Sequence, residues 1–146
     1  GAHGMVAGQM IDLAVEHRQV DTVTIERLQA LKTGALITFS AEAGAILGEA
    51  DPAAREAIVT FGRLVGSAFQ IVDDLLDEEG DVEAMGKAVG KDAAAGKATL
   101  VAVLGRDEAR ARADRLARDA IACLEPFGHP ADALRDVARF VVTRRT

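Results

Sequence analysis

Residues 51–79 read DPAAREAIVTFGRLVGSAFQIVDDLLDEE, and this stretch decides the fold. Asp51-Pro52 is a helix start: an Asp N-cap followed by Pro at the first helical position, where a backbone N–H would have no intrahelical partner anyway. From there Ile58, Phe61, Val65, Phe69, Val72 and Leu76 recur at steps of three and four, the buried stripe of one helix face. The expected helix runs from Pro52 to about Asp77–Glu79.

The same periodicity continues outward in both directions, with no sustained period-two alternation, so the chain reads as all-α. Toward the N-terminus a helix is expected over Met5–His17, with Val6, Met10, Leu13 and Ala14 on one face. Its small residues Gly4, Ala7 and Gly8 allow another helix to approach closely. A second helix begins after Asp21–Thr24 and carries Ile25 to Leu47. Gly34 in its interior costs up to ~1 kcal/mol against Ala, which marks a kink or a close contact. Toward the C-terminus, Gly80, Gly86, Gly90 and Gly96 break the pattern over 80–98. Periodicity resumes at Thr99, with a boundary near Gly105. A mixed-charge helix covers Asp107–Leu124, Pro126, Gly128 and Pro130 form a turn, and Ala131–Arg144 form a last helix with Leu134, Val137, Phe140 and Val141 inward.

Composition agrees. Of 146 residues, 49% are hydrophobic and 27% charged, with no Trp or Tyr and five Phe. That is enough apolar material for one core, and a core of Ala, Leu, Val and Ile suits close-packed helices better than a sheet. The net charge of −6 argues against nucleic-acid binding, which needs a basic surface to meet phosphates. Cys123 is the single cysteine, so no intrachain disulfide is expected and a reducing compartment fits. No secretory signal is expected, nor an apolar run near the ~20 residues needed to cross a bilayer. A cytoplasmic protein without membrane insertion is the expectation.

The acidic charge is uneven. Asp73, Asp74, Asp77, Glu78, Glu79, Asp81 and Glu83 form a one-sign cluster, whereas 106–118 alternate Arg with Asp and Glu in the manner of a solvated helix face. On a helix Asp73 and Asp77 are i and i+4 and share a face, with Asp74 turned ~100° away. Three effects oppose this arrangement at the expected helix end: like-charge repulsion, the neighbouring apolar run Ala68–Val72, and the macrodipole, which disfavours anions at a C-terminus. A divalent cation relieves all three, and oxygen ligands favour Mg²⁺ or Ca²⁺ over zinc. On its own a DDxxD is also the pattern of a solvated acidic helix end.

Two further features bear on this choice. Gln70, one turn earlier and beside Phe69, sets an amide inside an apolar face, where it needs a hydrogen-bond partner. Lys32-Thr33 interrupts an apolar helix beside Gly34. A lysine there can meet an anion and the hydroxyl can place a dipole near a reacting centre, or the lysine can snorkel to solvent. Lys87, Lys91 and Lys97 are interleaved with the glycines of 80–98, where backbone and ammonium can approach phosphate or simply form a solvated loop. The string is not a P-loop, because Gly96-Lys97 is followed by Ala98.

Taken in order, these strings resemble the trans-isoprenyl diphosphate synthases of the farnesyl and geranylgeranyl type. They are Gly4-Met5-Val6-Ala7-Gly8-Gln9 with Asp12-Leu13; Lys32-Thr33-Gly34-Ala35-Leu36; Phe61-Gly62, Gly66 and Ala68-Phe69-Gln70-Ile71 with Asp73, Asp74 and Asp77; and Gly86-Lys87, Gly90-Lys91-Asp92 and Gly96-Lys97 with Thr99. The resemblance implies the C-terminal half of an isoprenoid-synthase helical bundle around a central cavity. It implies that Asp73, Asp74 and Asp77 bind Mg²⁺ bridging an allylic diphosphate, that Lys32, Lys87 and Lys97 hold that diphosphate, that Thr33 and Gln70 face the allylic carbocation, and that Phe69 and Gln9 line the pocket. The implied reaction is head-to-tail condensation of the allylic diphosphate with isopentenyl diphosphate, with farnesyl diphosphate as the expected product and a homodimer as the expected assembly.

The chain also departs from that pattern. The family's first aspartate-rich motif, DDxxxxD, and its isopentenyl diphosphate-binding residues are absent, so residues 1–146 are expected to be the C-terminal half of one synthase domain, inactive alone and exposing apolar faces meant for the other half. Gln29 stands where bacterial members often have His. Two other readings stay open: a non-catalytic partner subunit of a heteromeric synthase, and a class I terpene cyclase fragment.

Overall fold

A computed structural model describes residues 1–16, 18, 20–85 and 99–145, with 80–85 as helix backbone. Its elements are α1 (Met5–Val15), α2 (Thr22–Gln29), a π segment (Ala30–Gly34), α3 (Ala35–Leu47), α4 (Pro52–Met85), α5 (Leu100–Leu104), α6 (Arg106–Cys123), two short 3₁₀ turns and α7 (Asp132–Thr143). The all-α expectation holds, with no strand among the described residues.

The start signals act as read. Asp51 Oδ1 accepts from the Ala54 N–H at 2.8 Å and Asp21 Oδ1 accepts from the Thr24 N–H at 2.8 Å, each satisfying one orphan donor of a first turn. The boundary at Gly105 has a left-handed φ of 81°, which a residue with a Cβ adopts only under strain.

α4 is the axis of the fold, packed by α3 on one side and α6 on the other. That double contact explains why its buried set is wider than one stripe. Phe61, Val65 and Val72 are buried as expected, and so are Ala68, Ile71 and Leu75. α6 meets α4 through a seam of alanines, Ala109, Ala113, Ala117 and Ala120, all buried. Close helix approach therefore rests on small side chains.

The π segment replaces the expected single helix over Ile25–Leu47. It ends at Gly34, and close backbone approaches flank it on two sides. A Cβ on Gly8 of α1 would stand 2.3 Å from the Lys32 nitrogen, and a Cβ on Gly66 of α4 would stand 2.9 Å from Gly34 Cα. Gly8 and Gly34 thus mark close approaches, as their placement in apolar helices implied.

Two further expectations change. Of the α7 residues read as inward, Val141 is buried and Leu134 packs against the core, but Val137 and Phe140 are exposed, and Ala138 takes the inward position. The apolar face of α1 is exposed at Val6, Met10 and Leu13, in line with the expected exposure of apolar faces, while α1 packs through its Gly8 side. The helical run Thr22–Leu47 is long and apolar enough to cross a membrane by length and composition, contrary to the expectation that no run approaches that length. One face of it packs on α4 through Gly34 and Thr38, while Leu36, Phe39, Ile46 and Leu47 are exposed.

Candidate active site

The π segment and the middle of α4 meet through a chain of polar side chains. Thr33 Oγ1 donates to Gln70 Oε1 at 2.7 Å. Gln70 Nε2 donates to Asp74 Oδ1 at 3.0 Å, one helical turn on. Gln29 Nε2 donates to Asp74 Oδ2 at 2.8 Å. Gln29 and Asp74 are the buried polar residues among those described, so this carboxylate lies inside the packed face and takes an amide on each oxygen. A buried carboxylate needs such donors, since its desolvation is otherwise uncompensated.

The three aspartates are thus not equivalent. Asp74 is turned inward, Asp73 is half-buried and Asp77 is exposed. Asp73 and Asp77 share the outer face, being four residues apart on one helix. Among the described residues, no group of three or more His, Cys, Asp or Glu side chains is arranged to hold a metal ion. A two-carboxylate face nevertheless fits Mg²⁺, which takes one or two carboxylates and fills its octahedron with water and substrate phosphate. Asp73 and Asp77 are the residues suited to that role, and Asp74 is suited to hold Gln70.

Two of the effects invoked for a cation are altered by the fold. α4 does not stop at Asp77–Glu79 but continues to Met85, so the acids lie beyond the reach of its C-terminal dipole, which acts over the last turn. The chain also supplies its own counter-charges. Arg144, following α7, reaches Asp73 Oδ1 at 3.1 Å, and Arg106 of α6 reaches Glu79 at 2.7 Å and Glu78 at 3.9 Å. Arg106 with Glu78 and Glu79 is a partly exposed set worth little to stability.

Lys32 lies next to Thr33 in sequence, but its ammonium pairs with Asp12 of α1 at 2.6 Å, both side chains more than a third exposed. Phe69 is half-buried beside Gln70, and the Arg144 guanidinium lies over its ring at 4.2 Å. Gln9 is exposed on α1, next to Gly8. Lys87 and Lys97 lie outside the described residues. The structure therefore brings together Thr33, Gln70, Asp74 and the Phe69–Asp73 turn, and sets Lys32 on the α1 side of the same π segment.

Three participants were not singled out by role in the sequence. Gln29 carries the same signal as Gln70, an amide within an apolar helix, and the same argument finds it. Asp12 stands out only through its pair with Lys32. Arg144 has no local signal, because only the path of α7 brings it to α4.

Comparison with known proteins is consistent with this geometry. The polyprenyl synthetase family model matches residues 2–128. A dimethylallyltranstransferase of Fischerella ambigua is 39% identical over 145 residues, and the farnesyl diphosphate synthase of Haemophilus influenzae is 35% identical over 149 residues. The chain spans 42% of the first and 50% of the second. Among solved structures, an FPP/GFPP synthase from Zymomonas mobilis superposes with a TM-score of 0.83 at 44% identity, covering 97% of this chain and 46% of that one. A polyprenyl synthase from Caulobacter crescentus, complexed with calcium and isoprenyl diphosphate, superposes with a TM-score of 0.79 at 27% identity, covering 97% of this chain and 56% of its own. With the Lys32-Thr33-Gly34 string meeting the Gln70–Asp74 turn in a helical fold shared with these enzymes, the chain belongs to the polyprenyl synthetase family.

Proposed function

We propose that the whole protein of which these residues form part is a Mg²⁺-dependent prenyltransferase of isoprenoid biosynthesis, condensing an allylic diphosphate head-to-tail with isopentenyl diphosphate to give farnesyl diphosphate. The observation that carries the reading is the Thr33–Gln70 hydrogen bond, which joins a lysine-bearing π segment to the aspartate-bearing turn of α4 across 37 residues of sequence. A π turn pinned by glycines is a feature often found at functional sites. Residues 1–146 are the C-terminal half of the synthase domain in this proposal and are inactive alone. The exposed apolar residues of α1 and α3 are where the remainder of the domain packs. The protein is cytoplasmic and homodimeric in the same reading.

Asp73 and Asp77 would hold the metal, with Asp74 behind them bonded to Gln29 and Gln70, and it would supply charge neutralisation on the departing diphosphate. Lys32, released from Asp12 when diphosphate enters, donates to its oxygens together with Lys87 and Lys97. The allylic C–O bond breaks, leaving a carbocation. Thr33 Oγ1 and Gln70 Oε1 turn oxygen dipoles toward it, and Asp74 fixes Gln70 through the amide so that this oxygen cannot swing away. Phe69 and Gln9 line the pocket. The double bond of isopentenyl diphosphate then attacks, a C–C bond forms and one proton is lost.

The test is incubation of the whole gene product with dimethylallyl or geranyl diphosphate, labelled isopentenyl diphosphate and Mg²⁺. Labelled farnesyl diphosphate is the expected product. Unlabelled lipid would indicate a terpene cyclase instead, and no lipid at all a non-catalytic subunit.

A further inference from the structure

We infer that Arg144 is a positioning residue for Asp73, holding the carboxylate before metal arrives and yielding it when metal and diphosphate bind; this rests on reading Asp73 as a metal donor. Phe69 and Asp73 are i and i+4 on α4, and one guanidinium spans both. Its Cζ lies over the Phe69 ring, 4.2 Å from the centroid, and its Nη2 donates to Asp73 Oδ1 at 3.1 Å. The Arg144 side chain is only 14% exposed. It thus meets the like-charge problem of the acidic turn from within the chain, at the carboxylate proposed for the metal.

A second arginine shows what a purely structural role looks like. Arg135, 13% exposed, donates from Nη1 to Gly128 O and Asp132 Oδ1 and from Nη2 to Leu124 O, pinning the turn before α7. Arg144 is as buried, yet it makes one carboxylate bond, and its Nε is buried with no hydrogen-bond partner. A buried orphan donor is unfavourable. The guanidinium is therefore held chiefly by its charge pair and its aromatic contact, and both geometries suit Arg rather than Lys. Such a cation competes with metal for the same carboxylate. Removing it weakens the metal-free fold and tightens metal binding, and the second effect is one that lost packing does not produce.

The experiment uses the whole gene product, with Mn²⁺ as probe in saturating inorganic diphosphate, free Mn²⁺ being read by electron paramagnetic resonance, and the melting temperature recorded without metal. Arg144→Ala should bind Mn²⁺ about fivefold more tightly, the equivalent of losing one modest competing ion pair, and should melt lower without metal. Arg144→Lys, which keeps the charge without the planar fork, should tighten Mn²⁺ binding less than the charge-free variants do. Arg144→Gln, which keeps most of the stem, serves as the charge-free variant should the alanine protein not fold. Asp73→Asn should bind Mn²⁺ more weakly. If Asp73→Asn weakens binding but neither charge-free variant tightens it, the role of Arg144 is refuted and the metal reading stands. If Asp73→Asn binds like the parent, Asp73 is no metal donor and both readings fall.

Discussion

Gln29 Nε2 donates to Asp74 Oδ2 across 2.8 Å, a bond between two buried side chains 45 residues apart in sequence. It makes the inner aspartate a structural member of the site and leaves the outer face to Asp73 and Asp77. Gln29→Leu strips one donor from a buried carboxylate and should destabilise by about 1–3 kcal/mol in urea unfolding. Gln29→Leu combined with Asp74→Leu removes both partners together, so its stability should exceed the sum expected from the single changes. Additive losses in that cycle would show that the two side chains are not coupled.

Gln70 stands between Thr33 and Asp74 and touches both. On the proposed function, Gln70→Leu should lower kcat with little change in the KM for the allylic diphosphate, because the proposal sets the amide toward the developing cation rather than the phosphates. Steady-state kinetics on the whole enzyme measure the split, and a rise in KM at constant kcat would contradict the assignment.

Asp73→Ala removes a carboxylate from the outer face, and turnover should fall by about two orders of magnitude or more, since stabilising charge on the leaving group supplies much of the acceleration in such reactions. An unchanged rate at saturating Mg²⁺ would remove Asp73 from the metal site.

Glycine substitutions offer a stability test with opposite signs in neighbouring helices. Gly66→Ala gains up to about 1 kcal/mol of helix propensity, but its Cβ would stand 2.9 Å from Gly34 Cα, backbone that cannot swing aside. Overpacking costs about 1–3 kcal/mol and wins, so the variant should unfold more readily. Gly44 lies in α3 with open space around an added Cβ. Gly44→Ala should stabilise by about 0.5–1 kcal/mol. Chemical denaturation of both variants decides the point.

Asp21 gives a pH prediction. The Thr24 side chain and backbone N–H bond its carboxyl and hold it below the ordinary Asp range. A carboxyl lowered by folding adds stability above its unfolded pKa and loses that contribution as pH falls through the folded value. Asp21→Asn keeps an N-cap acceptor without the charge. The stability gap between parent and variant should be largest near neutral pH and close below the ordinary Asp range. A gap independent of pH would contradict it.

Much of the fold is legible in residue spacing because helix periodicity and caps are local. Asp51-Pro52 and the Ile58–Leu76 stripe suffice to start and orient α4. Its end is not legible, since Asp77–Glu79 read as a terminus only until the helix is seen to run on to Met85. Val137 and Phe140 looked inward because apolar residues normally seek cover, and the described residues do not provide it. At the site, Thr33, Gln70 and the aspartates were visible as polar interruptions of apolar helices. That Asp74 faces inward, that Lys32 turns to Asp12 and that Arg144 reaches Asp73 depend on how distant elements cross, which no local pattern encodes.

The glycine contacts on either side of the π segment carry a consequence for how this fold can diversify. Main chain touches main chain there, so the distance from the Thr33 hydroxyl to the Gln70 amide is not tuned by neighbouring aliphatic side chains. Leucines and valines nearby can be traded for larger or smaller ones while the Thr33–Gln70 pair stays where it is.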